Sequence, residues 1–127
     1  MEKLRTYIDS QLSLEIANTY YNRETPDKSD FPLCSFQLEA INETDIHRQN
    51  ISLIIDLWAN SGGNDVIALE QLADSVDKRF RRLKHIDGEI QVSIYRDSNY
   101  RQILNDPDKT ISRRRLRYVI QYYEIGV

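Results

Sequence analysis

Cysteine, glycine and proline are scarce in this chain of 127 residues, and each scarcity excludes a class of protein. A single cysteine, Cys34, has no partner for an intrachain disulfide bond, which is typical of a reducing compartment. Four glycines and three prolines are too few for a long linker or a low-complexity segment. The longest apolar run, residues 53–59, is interrupted by Asp56 and is far too short to span a bilayer. The N-terminus lacks the apolar stretch of a secretory signal, so we expect assembly in the cytosol.

Side chains suited to metal binding or nucleophilic catalysis are also sparse. The two histidines, His47 and His85, lie in polar or basic turns, and neither has a metal ligand three or four residues away. Cys34 alternates into an apolar strand face, which is more typical of a core residue than of a nucleophile. The Gly62-Gly63 pair lacks the lysine and the glycine spacing of a phosphate-binding loop. We therefore expect no catalytic, metal-binding or cofactor-binding residues, and a protein that is not an enzyme.

The remaining composition is that of one folded domain over residues 1–127, with 40% hydrophobic and 29% charged residues. The net charge of −3 is unevenly distributed. Residues 1–77 carry 14 acidic and 5 basic side chains, whereas residues 78–127 carry 6 acidic and 12 basic ones. Neutralisation within the folded chain, complementary surfaces on neighbouring subunits, and nucleic-acid binding all fit this asymmetry.

Hydrophobic periodicity predicts two helices and five strands. The helices cover residues 2–13 and 65–83, and the strands cover residues 17–22, 31–41, 50–59, 89–95 and 111–125. Asn64 or Asp65 is expected to cap the second helix, and residues 97–110 to form a helical turn followed by a tight turn. The order of elements predicts an α+β fold, with a mainly antiparallel four- to five-stranded sheet and two helices packed on one face.

Two of the strands carry the candidate functional residues. Ile54 and Trp58 make the second face of strand 50–59 partly apolar, which predicts a central strand covered on both sides, with a partner subunit as one possible cover. On the last strand Arg113, Arg115 and Arg117 project from one face, where like charges repel unless they are screened. Water or internal acids, an acidic surface of an adjoining subunit, and phosphates remain the alternatives.

Several short motifs follow one another in an order that can be compared with known families. They are an N-terminal helix, Tyr20-Tyr21 before a polar loop, Phe31-Pro32-Leu33 opening a strand, Ile54-Ile55-Asp56-Leu57-Trp58 closing one, the helix segment Ala68–Val76, and a last strand rich in Arg and Tyr. This succession resembles the tail terminator proteins of long-tailed phages, also called tail completion or tail-to-head joining proteins. The match covers most of the chain, although each motif is short.

The resemblance implies a structural role in the virion tail of a phage or prophage, after assembly in the cytoplasm of the bacterial host. Such proteins form rings, commonly hexameric, on the finished end of the tail tube, where they stop tube polymerisation and join the tail to the head connector. The implied partners are further copies of the chain, the tail tube protein and a head connector or neck protein. DNA would only pass through the lumen, and no membrane or cofactor is involved.

From this implied role we assign two surfaces. We expect the lateral subunit interface at Ile54, Trp58, Arg113, Arg115 and Arg117. Axial or luminal loops, ordering only on docking, are expected at Glu24, Asp27, Asp30, Asp97, Tyr100 and Asp106. Two alternatives stay open: a neighbouring neck or head-closure joining protein, and a small nucleic-acid-binding module that uses the C-terminal basic strand together with residues 78–84.

Overall fold

The computed structural model describes residues 2–22, 30–43 and 48–125, and two helices and six strands lie within these ranges. In chain order they are α1 (Glu2–Ser13), β1 (Thr19–Tyr21), β2 (Leu33–Glu43), β3 (Arg48–Asn60), α2 (Gly63–Phe80), β4 (Lys84–Ile86), β5 (Ile90–Leu104) and β6 (Ile111–Glu124). The strands form one curled sheet in the order β1-β2-β3-β6-β5-β4. All pairs are antiparallel except β1–β2. The predicted α+β fold is confirmed, but the sheet is mixed and has six strands rather than four or five.

Alternate side chains of the central strands build one apolar core under both helices. In the register of β3 with β6, Leu53 lies opposite Tyr118 and Ile55 lies opposite Leu116, and all four are buried. The helices add buried side chains to the same cluster: Leu4, Ile8 and Leu12 from α1, and Leu69, Ala73, Val76 and Phe80 from α2. Because these residues recur every three or four positions, each helix buries one stripe. Both helices thus cover the same sheet face, as the sequence predicts.

Three local features differ from the sequence-based expectations. The chain forms β4, which has only three residues and no apolar alternation to reveal it. The segment expected to be a helical turn instead continues β5, where Arg101–Leu104 pair with Arg113–Leu116 of β6. The N-cap of α2 is Gly62, without a side-chain cap, rather than Asn64 or Asp65. Neighbouring strands, which local patterns do not reveal, decide the first two of these features.

A network of acidic side chains ties α2 to β5 and β6. Asp77, which is only 5% exposed, accepts a hydrogen bond of 2.8 Å from the Tyr118 hydroxyl and pairs with the Arg96 guanidinium. Two turns earlier, Glu70 pairs with Arg114 and, at 2.6 Å, with Arg101. Burial acts to raise the pKa of both carboxyl groups, but these hydrogen bonds outweigh it and hold each pKa below its usual value. Acids of the helix and arginines of the sheet thus neutralise one another.

This network predicts a loss of stability in acid. The ordinary pKa values of Asp77 and Glu70 are 3.8 and 4.5, and the folded-state values are lower. The carboxylates therefore stabilise the fold in full above their ordinary pKa values, and this contribution is lost as the pH falls through the folded pKa values. We expect Asp77→Asn to lower the free energy of unfolding at neutral pH by about 1–3 kcal/mol and to reduce its decline in acid.

Urea unfolding followed by circular dichroism, at neutral pH and at about pH 3, measures both effects. Asp74→Asn is the control for an exposed member of the same network, because Asp74 pairs with Arg101 at 2.6 Å but keeps 70% of its side chain exposed. That control is expected to change the free energy of unfolding by less than about 0.5 kcal/mol. An unaltered pH dependence in Asp77→Asn would contradict the assigned role.

Candidate functional site

The sheet face that α1 and α2 leave uncovered carries every residue predicted for lateral contact. Trp58 lies opposite Arg113, Asp56 opposite Arg115, and Ile54 opposite Arg117 in the register of β3 with β6. Directly opposed residues of an antiparallel pair project from the same face. We call the surface formed by these six residues the helix-free face. The structure thus brings the five predicted residues together and adds Asp56.

Asp56 is the centre of the helix-free face. Its side chain is 4% exposed and receives hydrogen bonds from both neighbouring arginines: Arg115 Nε donates to Oδ1 at 2.8 Å and Arg113 Nη2 donates to Oδ2 at 2.9 Å. In the sequence, Asp56 is an interruption of an apolar run and a member of the Ile54–Trp58 motif, and no partner was predicted for it. The available signal was its two-residue spacing from Ile54 and Trp58, which places it on their face. Of the alternatives for the arginines, internal pairing therefore holds for Arg113 and Arg115.

The expectation that Trp58 offers an exposed apolar surface is wrong. Trp58 is 1% exposed in the single chain. The Arg113 guanidinium carbon lies 4.8 Å from the centroid of the indole ring, and Leu33, itself fully buried, lies opposite Trp58 on β2. The arginine stem and the leucine cover the ring, so its burial needs no second subunit. Of the predicted apolar pair only Ile54, which is partly exposed, remains for contact with a partner.

Unsatisfied polar atoms concentrate on the same side of the sheet. Among the described residues, four buried side-chain atoms lack a hydrogen-bond partner: Trp58 Nε1, Gln102 Oε1, Arg113 Nε and Arg117 Nε. Gln102 lies opposite Arg115 on β5, so it continues the helix-free face by one strand. A buried polar atom without a partner costs about 1–3 kcal/mol. Arg117 also forms no ion pair with a described carboxylate, and this end of the face therefore suits a further polar partner.

The two long outer strands leave part of their edges open. β1 pairs only with Cys34–Phe36 of β2, and β4 pairs only with Gln91–Ser93 of β5. Within the described ranges, residues 37–43 of β2 and 97–104 of β5 therefore have no strand on their outer side; we call them the β2 edge and the β5 edge. Each carries an exposed isoleucine, Ile41 at 55% and Ile103 at 70%. Open edges with exposed apolar side chains are ready templates for another strand.

The structure describes four of the six residues that are expected in axial or luminal loops. Glu24 and Asp27 lie outside the described residues. Asp30 accepts a hydrogen bond of 3.1 Å from the Tyr20 hydroxyl, which ties it to β1. Asp106 accepts one of 2.9 Å from the backbone N–H two residues further on, as expected of a turn.

Asp97 and Tyr100 lie within β5 rather than in a loop. The Tyr100 ring packs against the Arg96 guanidinium, with 4.0 Å between the guanidinium carbon and the ring centroid. The register of β5 with β6 shifts between Arg96 and Arg101, so both residues occupy an irregular stretch of an otherwise paired strand. The expectation of a loop is wrong here, because residues 97–104 belong to β5 and residues 101–104 pair with β6.

Groups with catalytic potential are held in structural roles. Burial raises the pKa of the Cys34 thiol, which disfavours the nucleophilic thiolate. The His85 ring stacks on Tyr7 with 4.3 Å between centroids and hydrogen-bonds Asp87. This bond, together with the backbone N–H groups of Ile90 and Glu89, lowers the pKa of Asp87 to about 2. In the described part of the chain, no three His, Cys, Asp or Glu side chains gather as a metal site. Neither of the described helices has the length and apolar content that a bilayer crossing requires.

Comparison with known proteins adds no name to this geometry. Neither a scan of protein-family models nor a search of curated proteins finds a match to the chain.

The central position of Asp56 leads to a prediction about stability. Asp56→Asn removes the charge that Arg113 and Arg115 share, and breaking a buried ion pair in this way is strongly destabilising. Because the two arginines keep 25% and 23% of their side chains in water, we expect a loss of about 2–3 kcal/mol in the free energy of unfolding. Thermal and urea unfolding measure it. Glu39→Gln, a charge removal at an exposed position of β2, is the control and should be nearly neutral.

Proposed function

We propose that this protein is a non-enzymatic structural subunit that assembles into a closed ring. In this proposal the ring caps the tail tube of a long-tailed phage or prophage, ends tube polymerisation and joins the tail to the head connector. The observation that carries self-assembly is the pair of open edges on the long strands β2 and β5. The role in the tail rests on the motif resemblance described above.

The two edges are suited to each other in direction and in chemistry. The intervening pairs β2–β3, β3–β6 and β6–β5 are all antiparallel, so β2 and β5 run in opposite directions. Placing the β5 edge of one copy beside the β2 edge of the next therefore continues the sheet as an antiparallel pair. Ile41 and Ile103 add an apolar contact at this junction. The two edges belong to different strands, so the contact is heterologous, and such contacts generate rings when the rotation closes.

This proposal moves the lateral contact from the helix-free face to the strand edges. Arg113 and Arg115 are occupied by Asp56, and Trp58 is covered within the chain. Arg117 and Ile54 remain for a different neighbour, and we assign them to the contact with the tail tube protein. A short polar and apolar pair of this kind is typical of the rim of a docking surface rather than of its core.

The experiment that tests ring assembly is mass photometry of the purified protein, followed by negative-stain electron microscopy of the assembled fraction. We expect concentration-dependent oligomers with a central hole, and binding of these rings to one end of purified tail tubes. A protein that remains strictly monomeric at high concentration and does not bind tail tubes would contradict the proposal. Rings that bind only head connectors would assign the protein to the neighbouring neck position instead.

Two single substitutions test the edge contact itself. Ile41→Lys on the β2 edge and Ile103→Lys on the β5 edge place a charge where a strand from the next copy must approach, which blocks edge pairing. We expect each variant alone to be monomeric. Mixed together, they should form a one-to-one dimer, because each partner keeps one intact edge.

Ile67→Lys supplies the control, since Ile67 is 58% exposed on α2 and lies on neither edge. This variant should assemble like the unaltered protein. Mass photometry of the three single variants, and of the mixture of Ile41→Lys with Ile103→Lys, measures the oligomeric state in each case. Two monomeric variants that fail to form a dimer on mixing would refute a heterologous edge contact, even if rings of the unaltered protein exist.

A further inference from the structure

A basic cleft opens where α2 ends and the chain enters β4. It measures about 440 Å³ and is lined by Arg81, Arg82, Lys84, Tyr95 and Arg96. A backbone hydrogen bond of 2.8 Å from the Ile94 N–H to the Leu83 carbonyl holds the end of the helix segment against β5. The cleft therefore rests on hydrogen-bonded backbone on both sides. The cleft lies at the edge of the sheet, and its residues 81–84 belong to the basic segment 78–84 of the nucleic-acid alternative given above.

Three of its cations form no ion pair among the described residues, although the charge of Arg81 helps to lower the pKa of Asp77. Arg81, Arg82 and Lys84 are exposed, and none forms an ion pair with a described carboxylate. Arg96 differs, because its guanidinium is committed to Asp77 and packs on Tyr100. It forms a fixed wall of the cleft. Free positive charge is thus concentrated on the segment 81–84.

A helix C-terminus attracts cations through its dipole, and this effect accounts for Arg81 and Arg82 as helix-end residues. It does not account for Lys84, which belongs to β4, or for Tyr95, which belongs to β5. Tyr95 is 41% exposed and its ring takes part in no aromatic contact within the described residues. An exposed aromatic ring beside several free cations is the combination that single-stranded nucleic acids require, with the ring stacking on a base and the cations binding phosphates.

We propose that this cleft binds single-stranded nucleic acid, with a base on Tyr95 and phosphates on Arg81, Arg82 and Lys84. This inference does not rest on the ring proposed above. It also replaces the C-terminal strand as the candidate nucleic-acid surface, because Arg113 and Arg115 already share the Asp56 carboxylate. An acidic protein segment would use the cations but has no need of the exposed ring.

Fluorescence anisotropy with labelled single strands of about ten nucleotides, in DNA and RNA form, tests the proposal. Three phosphate contacts predict a slope of about −2 for the logarithm of the association constant against the logarithm of salt concentration. Arg82→Glu should weaken binding about tenfold or more, and Tyr95→Ala about fivefold or more, whereas Tyr95→Phe should bind like the unaltered protein. Lys109→Glu, an equal charge change at another exposed position, is the control.

Repeating the measurement with Ile103→Lys, which leaves the cleft intact, separates the two proposals. Binding by this variant supports the cleft whether or not rings form. Absence of salt-dependent binding at about 20 mM salt overturns the proposal. So does equal weakening by Arg82→Glu and Lys109→Glu. Duplex DNA that binds as well as single strands, without any effect of Tyr95→Ala, refutes base stacking. A polyglutamate peptide that competes as strongly as an oligonucleotide identifies an acidic protein partner instead and also overturns it.

Discussion

The buried carboxylate of Asp56 determines what the uncovered face of the sheet is able to bind. It lies in the middle of a central strand with 4% of its side chain exposed, a position that a lone charge does not tolerate. Arg113 and Arg115 make the burial possible because each supplies a charge-assisted hydrogen bond from a neighbouring strand. The cost is that these arginines are no longer free for a ligand or a neighbouring subunit. A row of arginines that looks like a binding surface in the sequence is mostly a structural support.

Much of the fold was predictable because alternation and helical periodicity record burial directly. The alternation of Leu116, Tyr118 and Ile120 on β6 correctly separates the core face from the arginine face. The same reasoning failed for Trp58, since alternation identifies the face of a side chain but not what covers it there. Its cover comes from Arg113 and Leu33, which are 55 and 25 residues away in the sequence and meet it only through strand register. Alternation therefore placed Trp58 on the face away from the helices, but it did not predict that the side chain is buried there.

The positions of the open strand edges also could not be predicted from the sequence. An edge is a property of the order of strands, and no local pattern distinguishes a paired strand from one that is half open. β4 and β1 have three residues each, so they cover only a fraction of the longer strands beside them. Ile41 and Ile103 appear in the sequence as ordinary strand isoleucines, and only the topology makes them exposed edge residues. Because internal ion pairs occupy the helix-free face, the proposed contact between copies is assigned to these edges.

The uneven distribution of charge along the sequence is explained largely by ion pairs within the folded chain. Acids of the first half of the chain, Asp56, Glu70 and Asp77, are paired with arginines of the second half. Neutralisation within the chain thus accounts for much of the contrast between the halves. It is weaker at residues 81–84, where Arg81 acts on Asp77 but Arg82 and Lys84 form no ion pair with a described carboxylate. A cluster of charged side chains indicates a binding site only where those side chains have no ion-pair partner inside the chain. This criterion favours the cleft beside Tyr95 over the arginines of β6.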